Sequence, residues 1–266
     1  MIDSKLQAEL RTRFNPDGSE LRRAQLRMLE MLKYIDKICT ENNLKYWLSS
    51  GTCLGAVRHG GFIPWDDDVD IEMFPKDFKQ FKKIVDNDHG SNYVLQNQFN
   101  DIEYRYPFSK LRDLNSEIEE IIDFDEKYKY RGIFIDVFIM SPSNSKFLRR
   151  LSTSINAHLL ELAYRSQNNN IIRLCKLITC HILNPISQCL QSIHSRGRLR
   201  HLIGCYLFKS RLKKDVQEQI RIPFENIELP VPINYGSYLK SLYGNYETLP
   251  DLNKIKPHII KIRYKN

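Results

Sequence analysis

No uninterrupted apolar run in this chain reaches the roughly 18 residues that a membrane-spanning helix needs, so no segment reads as a bilayer span. The opening stretch MIDSKLQAELRTRF is too charged for a secretory signal, and the cytoplasm is the expected compartment. None of the six cysteines forms a CxxC pair. Cys175, Cys180 and His181 are close in sequence, but their surroundings read as helical and their spacing fits no common zinc site. The cysteines therefore read as reduced, partly buried thiols. Internal repeats and low-complexity tracts are also missing. What is present, 42% hydrophobic and 27% charged residues over 266 positions, is the composition of a folded globular protein able to bury a core.

The net charge of +8 is unevenly spread. Residues 146–215 hold thirteen Lys and Arg against two acids, a net of +11, so the remainder of the chain carries −3. A basic segment joined to an acidic remainder suggests two jobs, one part meeting an anionic surface and the other holding cations.

Apolar spacing predicts a helix over 19–43, stopped by Asn42-Asn43. KYWLS reads as a short strand, SGT as a turn, and CLGAVRH as a helix opened by it. DVDIEM alternates acid and apolar residues, a strand with Asp68, Asp70 and Glu72 on one face. Pro75 suits the start of a following helix. YVLQNQ and RYPFSKLRD are further strands, and GIFIDVFIM reads as a central strand carrying one acid, Asp136. The fold class is α+β, a mixed sheet flanked by helices, with a core at 1–145, a basic helical segment at 146–220 in which Pro185 kinks or ends a helix, and a C-terminal segment at 221–266 that packs back as a short hairpin plus a docking stretch.

Three features carry chemistry. Ser50-Gly51-Thr52 lies between a strand and a helix, where backbone amides and a helix N-terminus make an anion site; taken alone it is an ordinary turn. Asp68 and Asp70 project the same way from one strand, which suits magnesium, a cation held by one or two carboxylates plus substrate phosphate oxygens; the alternative is an exposed acidic edge. Asp136 is a lone acid in an apolar strand, either a satisfied core residue or a third ligand or base on the neighbouring strand. Glycine turn, acid-x-acid strand and later single-acid strand together form the layout of the nucleotidyltransferase superfamily, whose logic is two-metal phosphoryl transfer.

The long block YWLSSGTCLGAVRHGGFIPWDDDVDI closely resembles the signature of the LicD family of phosphocholine transferases, which includes the fukutin-type proteins; FSKLRD, GIFIDVF and YGNYETLP resemble its other blocks. The resemblance covers residues 20–140 well and 221–258 loosely. It implies metal-dependent transfer of phosphocholine, or a related phospho-alcohol, from a CDP-linked donor such as CDP-choline to a hydroxyl of a cell-surface glycan such as lipopolysaccharide, with CMP leaving. By position, Asp68 and Asp70 would hold the metals, magnesium or alternatively manganese, and Asp136 would complete the site and accept the acceptor's proton. Ser50, Gly51 and Thr52 would contact phosphate; Arg58, Lys110 and Arg112 would bind the pyrophosphate. Asp66 and Asp67 would support the ligands or meet the donor's cation. Trp65 is either a wall for the quaternary ammonium or a packing residue. The chain departs from the family at Ser49-Ser50 and at Asn245, where an acid is usual, while His258 matches a trailing histidine; these departures bear on which alcohol is carried, ribitol and glycerol phosphate included.

The acceptor would be a glycan or lipid-linked saccharide. The basic segment accordingly reads either as an amphipathic region on the anionic inner face of the plasma membrane or as a solvated helical face over the cleft. Nucleic acid is not an expected partner, since no recognition motif or stacking aromatics accompany the charge. The competing enzyme class is a glycosyltransferase holding a nucleotide-sugar through Asp68-x-Asp70, which leaves the Ser50–Thr52 turn and the Asp136 strand unexplained.

Overall fold

The computed structural model describes residues 2–120, 125–143, 145–193, 195–205, 209–255 and 259–264. Its two leading helices start on side-chain caps. α1 (Ser4–Phe14) begins where the Asp3 carboxylate accepts the Lys5 amide at 3.0 Å, and α2 (Glu20–Glu41) where the Ser19 hydroxyl accepts the Arg22 amide at 3.2 Å. Each cap satisfies an amide the first turn leaves open, worth about 1 kcal/mol. α2 buries Met28, Leu32, Ile35 and Cys39, a stripe at three- and four-residue spacing that packs into the main core.

The strands are β1 (Tyr46–Leu48), β2 (Asp70–Met73), β3 (Tyr93–Gln96), β4 (Ser109–Asp113), β5 (Ser116–Glu120), β6 (Phe134–Pro142), β7 (Arg198–His201), β8 (Arg211–Leu212), β9 (Gln219–Phe224), β10 (Ile227–Pro232) and β11 (Ile259–Tyr264). The remaining helices are α3 (Ser50–His59), α4 (Pro75–Asn87), α5 (Lys146–Arg165), α6 (Asn169–Ile178), α7 (Asn184–Ser192), α8 (Lys213–Val216) and α9 (Tyr235–Tyr243). The main sheet runs β1-β2-β6-β4-β3. β2 and β6 are parallel, as their long crossover through α4, β3 and β4 permits, and the other pairs are antiparallel. Ile71, Met73, Ile135 and Val137 are fully buried, so β2 and β6 are the covered centre of the sheet. This is the mixed α+β, nucleotidyltransferase-like architecture the patterning predicts.

Two expectations are corrected. The basic segment is not helical throughout: β7 zips onto the second half of β6, with Met140 opposite His201, and β8 onto β7. Arg200, His201 and Arg211 are buried there, and pairing with an established strand outweighs their weak strand signal. Pro185 does not end its helix. It occupies the first turn of α7 directly after a π turn at Thr179–Leu183, whose wider winding absorbs the amide proline lacks. The C-terminal hairpin is observed as β9 and β10, followed by α9.

Candidate active site

The site forms at the starting ends of β2 and β6. Asp70 opens β2, and the parallel register sets it directly beside Asp136; from the other side of β6, β4 brings Lys110 opposite Asp136. The acid-x-acid strand and the single-acid strand are therefore immediate neighbours.

α3 is fastened to the same place. The Ser49 amide donates to the Asp70 carbonyl at 2.9 Å, and the Asp70 amide donates to Thr52 Oγ1 at 2.9 Å. The helix already starts at Ser50, so Ser50-Gly51-Thr52 is its first turn and not a separate turn before it. Ser50 takes the left-handed conformation (φ 47°), a costly one for a residue with a side chain, and its amide donates to the Tyr238 hydroxyl at 3.2 Å. The amides of Gly51 and Thr52 lie in that first turn, where the helix itself offers them no acceptor. Gly51 is required by what faces it: a Cβ there would stand 2.9 Å from Asp66 Oδ2. The glycine lets a carboxylate close on the positive end of α3.

Four aspartates share this volume. Burial, then Asp68 and Asp67, push the Asp66 carboxyl well above the usual carboxylate range, and Asp66 and Asp68 share a hydrogen bond. Burial, then Asp68, Asp136 and Asp66, do the same to Asp70. Burial raises Asp136 to about 6, against the pull of Lys110. Desolvated like charges are stable only when protonated or met by positive charge. Lys110 supplies part of it, its Nζ lying 3.2 Å from Asp136 Oδ1. As the side chains stand, no group of three or more His, Cys, Asp or Glu residues among those described is arranged to hold a metal ion. The donor chemistry nevertheless fits a hard divalent cation. All the donors are carboxylate oxygens, two of them on adjacent strands at one register position, and such a cation takes its remaining oxygens from substrate phosphates.

The other predicted residues are spread around this centre. Lys110 is buried, its ammonium 3.1 Å from the Phe134 ring centroid and 5.4 Å from that of Tyr106. Arg112 is fully buried and donates to Gln96 Oε1 at 2.8 Å and the Gly132 carbonyl at 2.9 Å, holding β3 and the segment that leads into β6 to β4. Arg58 donates to His59 Nε2 at 2.9 Å and, through Nη1, to the carbonyls of Tyr246 and Thr248, so it ties α3 to the segment after α9. Asp67 is buried. Trp65 packs edge-on against Phe14 and His59, with centroids at 5.3 and 5.9 Å, its ring engaged by α1. Asn245 is exposed, and His258 lies outside the described residues.

Beneath the aspartates sits an ionic node that sequence reading missed. Glu72, two residues beyond Asp70, is fully buried. Its Oε1 accepts from His201 Nε2 at 2.7 Å and Arg211 at 3.2 Å, and its Oε2 from Trp47 Nε1 at 2.8 Å and the Tyr238 hydroxyl at 3.2 Å. Burial alone would raise this carboxyl; Arg211 and His201 overcome it and hold the carboxyl at about 2. One side chain thus joins β1, β2, β7, β8 and α9. The second missed residue is Tyr243, at the end of α9. The residue as a whole is 46% exposed, while its hydroxyl is desolvated, and burial followed by the fields of Asp70 and Asp66 pushes that hydroxyl above the ordinary range. The available signal was its place in the YGNYETLP block.

Strand-paired carboxylates beside a helix N-terminus on a mixed sheet define a phosphotransferase of nucleotidyltransferase type. Comparison with known proteins makes this more specific. Residues 43–161 match the LicD/FKTN/FKRP nucleotidyltransferase domain. The chain is 27% identical to the lipopolysaccharide cholinephosphotransferase LicD of Haemophilus influenzae, over 92% of this chain and 97% of that protein. Shorter matches are to human ribitol 5-phosphate transferase FKRP, 36% identical over 23% of this chain and 12% of that one, and to mouse ribitol-5-phosphate transferase FKTN, 43% identical over 20% and 12%. By these likenesses the chain is similar to the LicD family, through the domain at residues 43–161 and, at lower identity, along nearly its whole length.

Proposed function

We propose that this enzyme transfers phosphocholine from CDP-choline to a hydroxyl of a surface glycan, with CMP as the leaving group, at the inner face of the plasma membrane. The observation that carries the reading is the register of Asp70 beside Asp136 at the N-terminus of α3. Choline is preferred because the likeness to the Haemophilus enzyme spans nearly both chains, whereas the ribitol-phosphate relatives align over short stretches.

Asp68, Asp70 and Asp136 are the residues that would hold divalent cations, magnesium or alternatively manganese. Bound there, such ions would neutralise the diphosphate and stabilise the departing CMP oxygen. The chain's own groups do the rest. The Gly51 and Thr52 amides, backed by the α3 dipole, donate to a phosphate oxygen. Lys110 pairs with Asp136, whose carboxylate oxygen takes the proton of the attacking hydroxyl. Arg112 and Arg58, committed to carbonyls and side-chain partners, keep β4 and α3 in position rather than gripping pyrophosphate.

The test is a donor panel. Purified protein with Mg²⁺ and a glycan acceptor is given CDP-choline, CDP-ribitol, CDP-glycerol or UDP-sugars, and CMP or UDP release is followed. CMP from CDP-choline is expected, with Asp68→Asn and Asp70→Asn each inactive yet folded. CMP from CDP-ribitol or CDP-glycerol alone would reassign the alcohol. UDP release with no CMP from any CDP-alcohol, or full activity in both variants, overturns the proposal.

A further inference from the structure

α5, α6 and α7 are built inside out. On α5, Arg149, Thr153 and Asn156 are buried, while Phe147, Leu151, Ile155 and Leu162 are 45–72% exposed. On α6, α7 and the π turn that joins them, Lys176 and Gln191 are buried, while Leu174, Ile178, Ile182, Ile186 and Leu190 follow one another at four-residue steps on the outside. Of the eighteen large apolar side chains exposed among the described residues, twelve fall within residues 147–193.

The inward side is a polar seam. Ser152 bonds to Ser187, Asn156 to Asn184, Gln191 to Ser143, and Arg149 to the Leu202 carbonyl. Lys176 donates to the carbonyls of Gln98, Ile102 and Tyr104. A helical layer held together by hydrogen bonds, with its leucines and isoleucines outward, is the arrangement expected where the surroundings are apolar and water is not the solvent. No helix among the described residues is long and apolar enough to cross a membrane, so the layer does not supply a span.

The charge around this face selects its occupant. Lys146, Arg150, Arg165, Arg173, Arg196 and Arg198 are exposed, and Glu161 is the single acid between residues 146 and 198. A cleft of about 480 Å³ at the edge of α6 adds Lys127 and Lys129 beside Arg173 and Leu177, with Glu103 opposing them. Two copies meeting through this face would press like charges together, whereas an anionic surface attracts the cations while the apolar side chains enter it.

We infer that α5–α7 form a monotopic docking surface for an anionic phospholipid bilayer, with Phe147, Leu151, Leu162, Leu174, Ile186 and Leu190 entering the acyl boundary and the surrounding cations meeting lipid phosphates. The inference is independent of the donor and acceptor chemistry, and its test does not use activity.

The full chain is floated with vesicles of phosphatidylglycerol and phosphatidylcholine, and with phosphatidylcholine alone, and its mass is measured without lipid. The wild type is expected to float with the anionic vesicles. A Leu174→Glu/Ile186→Glu/Leu190→Glu variant should lose at least about a hundredfold in partition with an unchanged melting temperature. Should that variant misfold, Leu174→Trp serves instead, its added emission shifting to the blue and being quenched by brominated lipid. Equal flotation of the triple variant would mean that charge alone binds lipid, and would overturn the inference. So would failure of the wild type to float, whether the chain is a monomer or a dimer that the same substitutions dissociate, and so would an added emission in the Leu174→Trp variant that vesicles leave unmoved.

Discussion

Replacing Glu72 by Gln separates two kinds of buried carboxylate only two residues apart. Glu72 accepts four hydrogen bonds, two on each oxygen, and every donor is itself buried. A glutamine amide turns one oxygen into a donor that faces two donors, and it removes the charge opposite Arg211 at 3.2 Å. Breaking a buried ion pair from one side costs about 3–5 kcal/mol, because the partner stays buried and uncompensated. For a chain of this size each kcal/mol moves the melting temperature by about 2–4 °C, which gives a fall of roughly 6–20 °C. The carboxyl is held at about 2 against an ordinary 4.5, so the stabilisation is complete above about 4.5 and is lost as pH falls through the folded value. Asp70→Asn has the opposite sign: it removes one charge from a cluster dominated by burial and like charges, so without divalent cations the melting temperature should hold or rise. Thermal unfolding of the two variants at neutral pH, in chelator, checks both. A Glu72→Gln protein melting within about 2 °C of wild type, or an Asp70→Asn protein falling as far as it, would refute the reasoning.

Other perturbations read other parts of the structure. His59 accepts from Arg58 at Nε2 and donates from Nδ1 to Gln7 at 2.7 Å; burial, then Arg58, lower it to about 3 from an ordinary 6.5. The unfolded chain therefore binds a proton the folded one refuses, and stability should fall by up to about 1.4 kcal/mol per pH unit below 6.5; in His59→Gln, denaturant titrations across that window should lose the slope. Lys176→Met keeps the volume but removes the ammonium from the carbonyls of Gln98, Ile102 and Tyr104, leaving the last two to share the Tyr164 hydroxyl, a cost of about 2–4 kcal/mol by urea unfolding, with faster proteolysis between residues 98 and 104. Tyr243→Phe removes a hydroxyl in the field of Asp70 and Asp66 at an exposed position, so turnover should drop roughly tenfold or more while the melting temperature stays within about 1 °C. Unchanged turnover would remove Tyr243 from the site.

The parts of the site legible in the sequence are those written in adjacent residues. Asp68-x-Asp70 shows its geometry through the two-residue period of a strand, and GIFIDVFIM declares a covered strand by leaving no alternation for solvent. That these strands are neighbours, with Asp70 level with Asp136, is a property of the crossover between them; the residues alone offered it as one of two alternatives for Asp136. Cations were harder to place. Lys110, Arg112 and Arg58 read alike as positive charges near a phosphate site, yet each is buried with its own partners, and a formal charge says nothing of what already compensates it. Glu72 shows the same limit from the acidic side. It stands in phase with Asp68 and Asp70, but its partners, the His201 ring and the Arg211 guanidinium, lie 129 and 139 residues further on, in strands too short and basic to announce themselves.

The helical part of the basic segment carries the sharper lesson, because over α5–α7 the periodicity gives the helices and still leaves the outcome open. Apolar residues at helical spacing identify a face and leave its direction undetermined. In α2 the apolar stripe turns to the sheet and most of the charges turn to water, with Arg22 buried against Glu225. In α5–α7 a stripe of the same quality turns away, and Thr153, Asn156, Lys176 and Gln191 turn in. The difference lies in the polar residues: those of α2 are mostly long and charged, whereas the buried ones of α5–α7 are mostly short hydroxyls and amides that can bond to one another. Short polar residues that pair across helices can form an interior, and the leucines are then what the layer offers to its surroundings.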